Sequence, residues 1–500
     1  MKKMIRWLLA LGMAGALLGA TAAMAAGETV ISVQLDGAPL TFTDAVPQVR
    51  DQRTFLPLRA VFEAMGAEVS SEGSVITATR NGKTLAMTLN ETAATLTQNG
   101  ETTPITMDVA PYVDNTTWRT YVPVRFAAQA FGCAVGWDQA NSTAIIVDTD
   151  KVVDAALEGK SFTFLEKLMA YSEKYNKGIW DVEAGFDASM TMMSLPMVMS
   201  GSMKGTVQDS GKMSMDMNMK MDMTEFVAGI NLLARMSEGQ GVEFTAEEQA
   251  MLDSLKEKGI DLSMRGDLGK GNLCLNMRGD LLAQAGMDND TWYTMDMAAI
   301  LEQMGMDWTQ LLEASQNIDY VTLAKGALST LPLNDSTTAY PQVKDTVEKI
   351  VKALSDEGFV KEGDEYTALL EMEEQGVAFT VVLTLSMKND AVTAYLMGFH
   401  MEAQEEGMTV SMDMTASVDD QDRLTAEINM DMASLLTMSM TMDGKYAPGS
   451  TAPATQPPEG APVVDLMELM AAEMGAEEAA LGIIGGADGP TAVLVSGEAN

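Results

Sequence analysis

The sequence predicts an α+β protein: two small antiparallel sheet-plus-helix repeats, then a larger curved antiparallel sheet with packed helices, then a disordered linker and tail. Three observations carry this. A seventeen-residue block recurs 66 positions further on. Methionine alternates with polar residues at period two in several later segments. Capped stretches with helical periodicity separate those alternating runs.

The chain opens MKKMIRWLLALGMAGALLGATAAMA. Lys2, Lys3 and Arg6 precede an apolar run from Trp7 to Leu18, and Ala23-Met24-Ala25 is a small-x-small cleavage site. Residues 1–25 therefore read as a secretory signal and are set aside from the fold. No cysteine lies near the cut, which argues against a lipid anchor.

Residues 28–150 hold the duplication. RTFLPLRAVFEAMGAEV (53–69) aligns with RTYVPVRFAAQAFGCAV (119–135), identical at seven of seventeen positions. Arg53 matches Arg119, Pro57 matches Pro123, Arg59 matches Arg125, and Gly66 matches Gly132. Each proline suits the first turn of a helix, where its missing N–H is no loss. Each glycine, nine residues on, suits the left-handed stop. Asp36-Gly37, Asn81-Gly82 and Asn99-Gly100 between alternating runs are hairpin signals. The four arginines are candidate ligand-binding cations; the plainer reading pairs them with local acids and carbonyls at the helix starts.

This pattern resembles the copper amine oxidase-like N-terminal domain, or stalk domain. The resemblance rests on the two R-T-aromatic-[LV]-P-[LV]-R blocks, the A-x-G closing each helix, and VGWDQANSTAIIV (135–147). The first copy departs from it, because VSSEGSVITA lacks the pair seen at Trp137-Asp138. The resemblance implies two stalk-type repeats forming an exported surface module with no settled activity. It does not imply an oxidase: that chemistry belongs to a separate large domain with three histidine ligands and a modified tyrosine, and this chain has one histidine, His400.

Residues 151–178 read as a helical connector, with Phe162, Phe164, Leu165 and Leu168 on one face. Residues 179–446 read as a methionine-rich α+β domain. In GKMSMDMNMKMDM, Met213, Met215, Met217, Met219, Met221 and Met223 alternate with polar residues, which places six thioethers on one face of a strand. The alternation returns at 408–417, 428–432 and 436–442, with breaks expected at Asn389-Asp390, Glu405–Gly407, Asp419–Asp422 and Asp443-Gly444. Helices are expected at 224–236, 245–259 (opened by a Thr245/Glu248 capping pattern), 297–305, 308–315 and 340–358. Two readings of the methionines stay open. Soft thioethers at M-x-M spacing bind Cu(I); alternatively, methionine fills the apolar side of a sheet that Leu, Ile and Val share in register, as in FTVVLTLSM. The domain is also similar in pattern to the half-barrels of bacterial lipoprotein carriers, through its apolar-faced meander, the TWYTMDM segment and the helices between sheet halves. That resemblance implies a cavity for an acyl chain; a closed core is the alternative.

Residues 447–462 (APGSTAPATQPPEGAP) read as an extended, disordered linker. Residues 463–500 read as a short amphipathic helix, with Val463, Met467, Met470 and Met474 on one side, and a GIIGGADGPT tail. Residues 482–495 resemble a segment of the β subunit of sodium-translocating decarboxylases, where the position of Asp488 lies on the ion path. Without surrounding membrane spans, a pump is excluded.

Composition narrows the function. A net charge of −39 opposes nucleic acid and anionic membranes. Two cysteines, Cys133 and Cys274, offer no disulfide framework, and one histidine excludes His-based triads and multi-His metal sites. No nucleophile elbow, phosphate loop or dinucleotide fingerprint is present. Glu371, Glu373 and Glu374 read as a solvated strand end, and His400 as a strand residue. The expectation is an exported, surface-associated binding or scaffolding protein without catalysis or cofactor. Its expected partner is an envelope component or protein, with no transmembrane span once the signal is removed. A carrier or sensor of a hydrophobic ligand in the second domain is the alternative, and Cu(I) binding by Met213–Met223 a third.

Overall fold

The computed structural model describes residues 31–466, apart from 51–52, 99, 210, 239–240, 242–243, 304–307, 309–332, 375, 406–407 and 434. The signal-type start, most of the helical run at 308–315, Met467, Met470 and Met474, and the tail with Asp488 lie outside the described residues.

In the N-terminal module the two copies are interwoven. Strand Arg53–Pro57 pairs antiparallel with its repeat counterpart Thr120–Pro123, Leu56 opposite Val122. Strand Ser32–Leu35, from the start of the first copy, pairs parallel with Thr143–Asp148, from the end of the second. Each copy thus completes a sheet edge that the other would leave open. A five-stranded meander runs from Glu68–Glu72 to Glu101–Thr106. Its turn at Asn81-Gly82 has φ of 49° and 75°, as a two-residue hairpin of the right twist requires. Pro57 and Pro123 end their strands and cap helices Leu58–Ala64 and Val124–Ala130, one position ahead of the first-turn placement the sequence suggests. The strand ladder claims each proline as its last residue, where a missing N–H ends the pairing. Gly66 (φ 81°) and Gly132 (φ 77°) make the left-handed stops.

Strand Thr143–Asp148 is buried at all six positions. Ala144 and Ile146 face the module's core with Phe62, Met87 and Phe131. Ile145 and Val147 face a second cluster with Val152, Val153 and Val343, Val347 and Val351 of helix Ala339–Leu354. A helix from late in the chain thereby packs on the N-terminal module. Leu333, just ahead of that helix, lies so close to Gly136 that a Cβ there would sit 1.8 Å from its carbonyl oxygen. Asp138 accepts hydrogen bonds from the Ser336 N–H and hydroxyl at 2.9 and 2.6 Å, and from the Asn141 N–H at 2.9 Å.

The second region is one fourteen-stranded sheet. A meander from Ile179–Met192 to Trp292–Asp296 and a meander from Phe359–Glu362 to Leu436–Pro448 join where Ile179–Met192 pairs antiparallel with Leu436–Pro448. Twisted sheets of this width curl. The expected break at Asp443-Gly444 is not a turn. Both residues lie inside Leu436–Pro448, and at Gly444 the neighbouring strand leaves no room for a side chain: a Cβ would meet the Ala184 Cβ at 2.8 Å. Val463–Asp465 is likewise not helical. It adds a parallel strand beside Trp292–Asp296, and the Trp292 N–H donates to the Pro462 carbonyl at 2.8 Å. The proline-rich stretch is therefore not a disordered linker: its first two residues end strand Leu436–Pro448, and residues 449–462 are a placed strap with no helix or strand.

The stretch 151–178 does more than connect. Helix Thr163–Glu173 lays Leu168 and Tyr171 onto the sheet's apolar face, and Tyr175 follows; all three pack with Leu385, Tyr395 and Val418. Phe164 stacks obliquely on Phe359 and Tyr366 at 4.8 and 4.7 Å. Lys174 lies over the Tyr171 and Tyr175 rings and bridges to Asp422 at 2.6 Å.

Two outcomes follow for the join between module and sheet. Gly136→Ala forces Leu333 away and is expected to lower stability by about 1–3 kcal/mol, read by denaturant unfolding. Burial alone would raise the Asp138 pKa, but the hydrogen bonds from Ser336 and Asn141 outweigh it and hold the carboxyl well below its usual range. Its stabilisation is complete above the unfolded value of about 3.9 and is lost as pH falls below it. Asp138→Asn is expected to be less stable than the parent at pH 7, with the gap narrowing below about pH 4.

Candidate apolar binding face

The motif arginines are scattered over the N-terminal module rather than gathered at a site. Arg53 bridges to Asp108 at 2.6 Å, and Arg119 to Asp44 at 2.5 Å. Arg59 sits 3.7 Å from Glu63 one turn along its helix, and Arg125 is exposed. The buried cation is one the motif did not single out: Arg80, ion-paired with Asp148 beside the Cys133 thiol. A crevice of about 400 Å³ lies there, lined by Asp36, Met65, Arg80, Asp148 and Lys151 among others. Lys151 donates to Asp36 at 2.9 Å, so the charges at the crevice answer one another.

Residues 34–146 match the copper amine oxidase N-terminal domain. The match takes in both arginine-bearing strands and both helices and ends inside the buried strand Thr143–Asp148. It covers less than a quarter of the chain and none of the fourteen-stranded sheet. No curated protein matches the chain. Nothing in the stalk-type module assembles metal-binding side chains: among the described residues, no group of three or more His, Cys, Asp or Glu is placed to hold an ion.

The feature with the greatest extent lies in the sheet. Strand pairing lines up its alternating apolar residues into rows that run across the strands. One row reads Met372, Phe379, Met401, Met412, Met430, Met438, Met190, Met197, each directly opposite the next. Cross-strand neighbours of this kind have Cβ atoms about 4.5–5.5 Å apart, so the side chains touch. The adjacent row reads Leu370, Val381, Phe399, Met414, Ile428, Met440, Ala188, Met199, Met221. Seven strand gaps of about 4.8 Å make the first row roughly 34 Å long.

Helix Thr163–Glu173 and Tyr175 cover one end of this face, where Leu385 and Val418 are fully buried. The methionine row beyond is only half-buried at Met190, Met401, Met412, Met430 and Met438. The predicted thioethers Met213, Met215, Met217, Met219 and Met221 lie along Lys212–Asp222 on the same face, with Met223 just past its end. Of these only Met215 is buried. They are strung along one strand and meet other strands' apolar residues: Met217 is opposite Met203 and Leu262, Met221 opposite Met199, Met215 opposite Met264. The row-forming methionines of the other strands were legible as alternation, but their union needs the register between segments far apart in sequence.

The opposite face is mostly polar, though Val198, Leu369 and Leu396 are exposed on it. His400 lies there, its Nδ1 2.6 Å from the Asp413 carboxylate, both groups about half exposed.

The two cysteines are free and buried, one in each region. Burial pushes the Cys133 thiol up to about 12 and the Cys274 thiol upward. Neither is expected to react with an aromatic disulfide reagent at pH 8 until denaturant is added, whereupon both react. A thiol that reacts promptly in the native protein contradicts this burial.

Proposed function

We propose that this chain is an exported binding protein without catalytic activity, and that the methionine-lined face of the fourteen-stranded sheet holds an apolar ligand such as an acyl chain. The observation that carries this reading is the eight-residue row from Met372 to Met197, an apolar floor in which Met190, Met401, Met412, Met430 and Met438 are only half-buried among the described residues. Closed cores bury such residues fully. Methionine suits a floor of this kind, because a flexible, polarizable side chain adapts to ligands of varied shape. About ten methylenes buried at about 0.8 kcal/mol each supply about 8 kcal/mol, the scale of micromolar affinity. The similarity in pattern to lipoprotein-carrier half-barrels supports the same reading. The secretory start, the acidic surface and the stalk-type module support a place outside the cytoplasm. There the module acts as a support, joined to the sheet through helix Ala339–Leu354.

The rows also bring thioethers of neighbouring strands side by side, which favours Cu(I) as a second reading. Substitution separates the two. Met412, Met430 and Met438 changed together to Leu keep the floor apolar and remove the soft ligands. Binding of a fluorescent fatty acid is expected to survive this change within about threefold. The Met430→Glu, Met438→Glu pair is expected to weaken it at least tenfold, about 1.4 kcal/mol. Loss of Cu(I) binding in the Leu variant, with no fatty-acid binding in the parent, would overturn the apolar-ligand reading in favour of copper.

A further inference from the structure

Methionine is not spread evenly over the sheet's apolar face. At the end covered by helix Thr163–Glu173, the buried side chains are mostly aliphatic and aromatic, Leu383, Leu385, Val392, Tyr395, Val418 and Leu424 among them, with Met387 and Met397 as the thioethers. Beyond the helix, six methionines follow one another without a break: Met401, Met412, Met430, Met438, Met190 and Met197, each opposite the next on the neighbouring strand. All but Met197 are half-buried. Leucine would make an equally apolar floor and lose less side-chain freedom on ordering. What the thioether adds is chemistry, because its sulfur can take up an oxygen atom.

We propose that this run is an oxidation site, at which peroxide converts the thioethers of the floor to sulfoxides and the apolar ligand is released. The inference rests on the apolar-ligand reading above and adds its regulation. The sulfur lone pair attacks one oxygen of hydrogen peroxide; the S–O bond forms as the O–O bond breaks. The thioether gives up two electrons and the peroxide gains them. The departing hydroxide takes the proton left on the transferred oxygen, so each event yields one sulfoxide and one water. Thiols, the usual targets, are withdrawn. Cys133 and Cys274 are both buried, and burial holds both protonated, which removes the reactive thiolate.

The floor has no donor for the oxygen it gains. Along the row a sulfoxide would have thioethers and Phe379 beside it, which offer no hydrogen bond, and the backbone N–H groups between them belong to the strand ladders. Beneath an acyl chain the new oxygen is a buried acceptor without a partner; on an empty floor water meets it. Oxidation therefore favours the empty floor. Because the six sulfurs are contiguous, successive events turn an unbroken apolar stripe polar. Burial sets their order. Met169, Met193 and Met236, off the row and 46%, 61% and 77% exposed, react first. The half-buried row follows. Met87 and Met107, in the core of the N-terminal module, are reached only on unfolding.

The test treats the purified full chain with millimolar hydrogen peroxide and maps oxygen uptake at each methionine by peptide mass spectrometry. Binding of a fluorescent fatty acid is followed in the same samples, each protein compared with its own binding before peroxide. In the parent, binding is expected to hold while only Met169, Met193 and Met236 gain oxygen, and to fall about tenfold as the row does. Methionine sulfoxide reductases for both epimers are expected to restore it. With Met190, Met401, Met412, Met430 and Met438 all changed to Leu, the loss under the same peroxide is expected to be no more than about threefold. With Met169, Met193 and Met236 changed to Leu instead, the loss is expected to match the parent's. Four results would overturn the oxidation site while leaving the ligand reading intact: row methionines that oxidise no faster than Met87 and Met107, binding that outlasts oxidation of the row, reduction of the sulfoxides without recovery of binding, or a row variant as sensitive as the parent. Should the row variant not fold, the parent's site-by-site time course decides alone. A parent that binds no fatty acid before peroxide overturns the ligand reading and this inference with it.

Discussion

The register between Ile179–Met192 and Leu436–Pro448 is the constraint on which the sheet depends. These strands lie about 250 residues apart in sequence, yet thirteen consecutive pairs join them and fuse two meanders into one surface. Side chains alternate with period two, so a slip of one residue would turn Met190 or Met438 from the apolar to the polar face. Gly444 guards the register. It is buried where its strand passes Ala184, and any side chain there would meet the Ala184 Cβ and the Glu183 carbonyl. Only one alignment puts the residue without a Cβ at that crossing.

From that register the rest follows in physical order. Alternation gives each strand one apolar side. Pairing adds those sides into rows. One helix and its aromatic residues cover one end of the rows, and the methionines beyond remain half open. The N-terminal module is not a loosely tethered bead beside this sheet. Its strand Thr143–Asp148 is buried on both faces, one against its own core and one against Ala339–Leu354, a helix that also packs beside Glu365–Glu374. Breaking that sandwich would expose Ile145, Val147 and three valines of the helix, each a loss of about 1.5–3 kcal/mol.

Much of this was readable in the residues. Local chemistry announced itself: the left-handed glycines at 66 and 132, the turns at Asp36-Gly37, Asn81-Gly82 and Asn389-Asp390, and the capping box at Thr245 and Glu248, which forms with both hydrogen bonds present. The period-two methionine runs fall on strands as expected. What stayed hidden is non-local. Asp443-Gly444 has the composition of a turn, and only the approach of Ala184 explains it as a strand interior. The interleaving of the two repeats, the edge strand at Val463–Asp465 and the methionine row all depend on partners far away in sequence, which no window of residues contains. The candidate site was therefore legible as a property of strands, one apolar face rich in thioethers, and not as a place.

Native mass spectrometry of the full chain, purified without added lipid, decides whether the methionine-lined face carries a ligand. A lipid-sized adduct that denaturation releases is expected. A bare polypeptide mass, unchanged after the protein is offered fatty acid in excess, would contradict it.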